Sequence, residues 1–167
     1  MRSKRIFFRY LAFTLELLLL WVLQSTPKLL PEFFGAKPFL LLAMALSVSV
    51  CEDVVPSILW GAVCGVSADI SAGGTVGYFA VTFVLVCFAQ SSMLGTYLNR
   101  NALTGAMLSL GSVVAVLGLY FVFFRLWAGI PGGAELFFPR YLMRMGMTFV
   151  CFFPLYFLNR FLCKSFS

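Results

Sequence analysis

Histidine is absent from all 167 residues, which removes the side chain that most often serves as general base near neutral pH. Carboxylates are few: Glu16, Glu32, Glu52, Asp53, Asp69 and Glu135. None is set in a metal-holding spacing such as H-E-x-x-H. No lysine falls within an apolar run, so a serine nucleophile would lack the usual alternative to a histidine base. The cysteines Cys51, Cys64, Cys87, Cys151 and Cys163 are scattered, odd in number and never in C-x-x-C spacing. They read as small apolar fillers rather than as disulfides or metal ligands. There is also no polar stretch large enough to build a water-soluble active site. The expectation is a protein without catalytic residues, bound metal or cofactor.

What the chain has instead is apolar surface. Hydrophobic residues make up 62% and charged residues 11%, a balance foreign to water-soluble domains of this size. Apolar runs long enough to cross a hydrocarbon core of roughly 30 Å recur along the sequence. They lack the alternation of barrel strands, so an all-α polytopic bundle of about six transmembrane helices is expected, as one integral-membrane domain over residues 1–167. Spans are expected near Tyr10 to Thr26, Pro38 to Val50, Val54 to Ala68, Thr75 to Met93, Ala102 to Phe124 and Leu142 to Phe161. The breaks between them ("TPKLLPEFFGAKP", "CED", "DISAGG", "YLNRN", "AGIPGGAELFFPR") carry the glycine, proline or charge that ends a helix. The second and third spans are short, so residues 38–68 form either two short full spans, the preferred reading, or a re-entrant hairpin buried in the bundle.

The net charge is +6. No basic segment is interleaved with aromatics, so nucleic acid is not an expected partner, whereas anionic lipid headgroups are. Arg2, Lys4, Arg5 and Arg9 precede the first span, and Arg160 and Lys164 lie at the end of the last. With an even number of spans both termini would be cytoplasmic, although Lys28, Lys37, Arg125, Arg140 and Arg144 then fall on or near the outer side. The basic, apolar start mimics a signal peptide. Glu16 interrupts it and no A-x-A site follows, which favours an uncleaved first helix. Glu16 itself lies about two turns after Arg9. It either pairs with Arg9 near the interface or turns into the bundle, where it is the intramembrane charge to watch.

The most informative stretch is Trp60 to Ala80, "WGAVCGVSADISAGGTVGYFA". Ser57, Gly61, Gly65 and Asp69 are four apart and follow one helical stripe. Small residues on such a stripe let a second helix backbone come close. A carboxylate within hydrocarbon costs about 2.5 to 3.5 kcal/mol on insertion scales, so Asp69 needs a wet or paired site. Loop backbone amides, or a hydroxyl such as that of Ser71, are the expected partners. Gly73, Gly74 and Gly77 then permit a sharp turn into the next helix. These seven residues are the candidates for a packed junction on which folding or a partner depends.

The run Gly61-x-x-x-Gly65-x-x-x-Asp69, with a glycine-containing break and then Gly77 opening another apolar helix, resembles the signature region of MreD, the small rod-shape-determining membrane protein of bacteria. Size, basic start, number of spans and short basic tail resemble that family over almost the whole chain. The resemblance implies a non-enzymatic member of the cell-elongation machinery in the cytoplasmic membrane. Its partner would be MreC, and through it the MreB cytoskeleton and the peptidoglycan polymerase and transpeptidase. It further implies a fold similar to the substrate-binding subunits of energy-coupling-factor vitamin importers. That similarity supplies an alternative function, small-molecule capture for an importer, for which Tyr120, Trp127 and Glu135 near the fifth loop are the available polar and aromatic groups.

Overall fold

The computed structural model describes residues 2–26, 37–72, 77–97, 101–123 and 141–165, with side chains from Ile6 onward. It contains α1 (Arg2–Ser25), α2 (Leu40–Cys51), α3 (Val54–Ala72), α4 (Tyr78–Thr96), α5 (Ala102–Phe121) and α6 (Met143–Ser165). No strand occurs among the described residues. Five of the helices, all but α2, are long and apolar enough to cross a membrane. The protein is an all-α membrane bundle.

Helix ends differ from the expected ones for identifiable reasons. The third helix does not stop at Ala68 but runs to Ala72. Its polar residues do not compete with the helix: Ser67 and Ser71 return their hydroxyls to the carbonyls of Val63 (2.8 Å) and Ser67 (2.9 Å), one turn back. Asp69 is satisfied from outside the helix, as described below. The fourth helix begins at Tyr78, because Gly77 at its N-cap adopts φ 84°, a left-handed conformation open to glycine. At the last helix the chain stays helical past Phe161 to Ser165.

Residues 38–68 match neither expected arrangement fully. At 19 residues α3 is a full-length span. At 12 residues α2 is only about 18 Å long at 1.5 Å per residue. Every residue from Leu40 to Val50 is buried, and α2 packs against all five other helices. It is the axis of the bundle. A helix apolar around its whole circumference buries every face, and that is what "LLLAMALSVSV" specifies. Ser47 and Ser49 fit there because their hydroxyls donate to the carbonyls of Met44 and Leu46, both at 2.8 Å.

Side-chain contacts fix the direction of each helix. Arg9 of α1, Ser91 of α4 and Cys163 of α6 meet Glu52 just after α2. At the opposite end Gln24 of α1 accepts from the Leu41 amide, and Thr148 of α6 accepts from the Phe39 amide. Tyr78 of α4 donates to Val116 of α5 near that same end. The six helices therefore alternate in direction, and the start of α1 lies at the same end as the finish of α6. Leu15, Leu19, Leu59, Ile70, Leu103 and Phe161 point outward and are exposed, the surface expected of a bundle solvated by lipid.

Candidate functional site

The glycine stripe of α3 faces α4. A Cβ built on Gly65 would lie 2.6 Å from the Ala80 Cα and 2.7 Å from the Phe79 carbonyl oxygen. Both are backbone atoms, so no side-chain rearrangement makes room. One turn earlier, a Cβ on Gly61 would meet Cys87 Sγ at 3.0 Å and the Phe83 carbonyl oxygen at 3.2 Å. Small residues at four-residue spacing have thus brought two backbones together. Ser57, at the start of the stripe, is buried and donates at 3.5 Å to the Glu52 carbonyl.

Asp69 closes the junction. Its Oδ1 accepts from the Phe79 amide at 3.1 Å and its Oδ2 from the Ala80 amide at 2.9 Å. These are amides of the first turn of α4, which have no intrahelical acceptor. The N-cap itself is Gly77, whose lack of a side chain leaves the capping to a residue of the preceding helix. The carboxylate also sits at the positive end of the α4 dipole. The expectation of backbone amides holds, but they belong to a helix rather than a loop. Ser71 is not a partner: it donates to Ser67 and accepts from the Trp21 indole at 2.9 Å. Gly73 and Gly74 lie outside the described residues.

Two further polar clusters form, one around Glu52, which was not assigned from the sequence, and one around Glu16, for which the sequence left two arrangements open. Glu52 is 5% exposed and pairs with Arg9, whose Nη2 donates to Oε2 at 3.2 Å while Nε lies 3.1 Å from Oε1. The Cys163 thiol reaches Oε1 at 3.6 Å, and Ser57 and Ser91 donate to the Glu52 carbonyl, each at 3.5 Å. Four helices converge on one residue in the short "CED" break. Arg9 is therefore not the partner of Glu16. Glu16 turns into the bundle, where its Oε1 accepts from Asn159 Nδ2 at 3.2 Å, and the same nitrogen donates to Ser47 Oγ at 2.7 Å. The signal for this cluster was Asn159, a polar residue inside an apolar run. Beyond these contacts, a groove of about 390 Å³ runs between α1 and α3, lined by Tyr10, Thr14, Leu17, Pro56, Leu59, Trp60 and Val63.

Among the described residues no group of three or more histidine, cysteine or acidic side chains is assembled to hold a metal ion. Asp69, Glu52, Glu16 and Asn159 are all engaged in helix capping or in contacts between helices. Comparison with protein-family models, characterised proteins and solved structures returns no match.

Proposed function

We propose that this chain is a non-enzymatic, MreD-like component of the bacterial cell-elongation machinery in the cytoplasmic membrane. In this reading it holds MreC, and through MreC it is coupled to MreB and to the polymerase and transpeptidase of lateral peptidoglycan synthesis. The observation that carries the reading is the α3–α4 junction, in which the Gly61-x-x-x-Gly65-x-x-x-Asp69 run locks two helices backbone to backbone and caps the second from the first. A rigid helix pair is a suitable platform for a partner helix, because little ordering is left for binding to supply.

The test is co-purification of MreC from membranes, normalised to the amount of each variant inserted. Asp69→Ala should lower MreC yield more than Asp69→Asn, which keeps one acceptor oxygen in place. Wild-type MreC yield from a folded Asp69→Ala variant would overturn the reading. Recovery of an importer's ATPase subunits in place of MreC would establish the alternative, a substrate-binding subunit.

A further inference from the structure

At the end of the bundle opposite Glu52, one arginine has no counter-ion among the described residues. Three arginines have described side chains. Arg9 is paired with Glu52, and Arg160 donates to the Tyr156 hydroxyl at 2.8 Å. Arg144, in the first turn of α6, has neither kind of partner among the described residues. Its guanidinium carbon lies 4.9 Å from the centre of the Phe39 ring, and its Nε is shielded from solvent without a hydrogen-bond acceptor. The carboxylate of Asp69, which lies toward the same end, is engaged by the Phe79 and Ala80 amides.

The surroundings of Arg144 are fixed. Thr148 Oγ1 donates to the Arg144 carbonyl at 2.7 Å and accepts from the Phe39 amide at 2.9 Å, tying ring and guanidinium to one turn of α6. Phe39 packs on Phe79 with centroids 5.0 Å apart, and Phe79 stacks on Tyr120 at 5.4 Å. Tyr141, one turn before Arg144, packs edge-on against Phe121 at 5.1 Å. An aromatic face offsets only part of the cost of taking a guanidinium out of water. An anion would meet the remainder, and the planar arginine fork suits an oxyanion that accepts two parallel hydrogen bonds.

We propose that Arg144, backed by Phe39 and the Phe79–Tyr120 stack, is a binding site for a phosphate group at this end of the bundle. The phosphate is that of a phospholipid headgroup or of a water-soluble phosphate ester. The inference is independent of the MreC reading.

The experiment uses the full chain in a maltoside detergent, which contributes no phosphate, and reads its melting temperature. Phosphatidylglycerol is added in one arm and inorganic pyrophosphate in the other. A site filled well above its dissociation constant should raise the melting temperature by about 5 °C. A response to the lipid alone identifies a headgroup site, and a response to pyrophosphate identifies a soluble ligand. Arg144→Met should abolish the response, Arg144→Lys should weaken it, and Arg160→Met, at the other end of the bundle, should leave it intact. If Arg144→Met does not fold, Arg144→Lys decides, and an undiminished response there overturns the proposal. It is equally overturned by a wild type that responds to neither probe, by equal loss in Arg160→Met, or by a response seen only after Glu32→Gln or Glu135→Gln, which would place the chain's own carboxylate at Arg144.

Discussion

A methyl group at Gly65 would arrive 2.6 Å from the Ala80 Cα, whereas one at Gly61 would arrive 3.0 Å from a thiol that can rotate. Gly65→Ala should therefore destabilise the protein by about 3 kcal/mol or more, and Gly61→Ala by about 1 kcal/mol. Thermal unfolding of the two variants in the same detergent measures the difference, and equal melting temperatures would contradict the geometry. At Asp69, alanine orphans two amides at a helix start and should cost about 2 kcal/mol, against about 1 kcal/mol for asparagine. The stripe was legible because helical spacing is a local property. The partners of Asp69 were not, because they lie 10 and 11 residues further on, beyond a turn. The Arg9–Glu52 pair spans 43 positions and left no periodic trace at all. For this pair, Arg9→Met or Glu52→Met alone should cost about 3 to 5 kcal/mol. The double variant Arg9→Met with Glu52→Met should recover much of that loss, since burying two charges is itself expensive. A double variant as unstable as the sum of the singles would refute this.

The helices themselves were visible as apolar runs, and all six of the expected spans correspond to one of them. Their roles were less visible. Hydropathy marks α2 as apolar but carries no information about how many neighbours it will have, so its place at the centre emerged only from packing. The prediction at this scale contrasts two leucines. Leu42 of α2 is 0% exposed and Leu59 of α3 is 62% exposed. Leu42→Ala should cost about 2 to 5 kcal/mol through the cavity it leaves, while Leu59→Ala should stay within about 0.5 kcal/mol. The unfolding midpoints of the two variants decide it, and a shift at Leu59 as large as that at Leu42 would mean that α2 is not the core.

Across the whole molecule, the strict alternation of helix direction places the start of α1 and the finish of α6 together. Reporters fused before α1 and after α6 should accordingly report the same compartment, and the basic residues in the opening turns of α1 and the closing turns of α6 predict the cytoplasm. Opposite compartments would mean that α2 does not carry the chain across. The central position of α2 also has a bearing on how the protein is made. During synthesis α2 leaves the ribosome before α3, α4, α5 and α6, four of the five helices that will enclose it. Its lodging is completed only when α6 arrives, so a nascent chain halted after α4 exposes an unprotected flank of α2 to the membrane-protein insertion and quality-control apparatus.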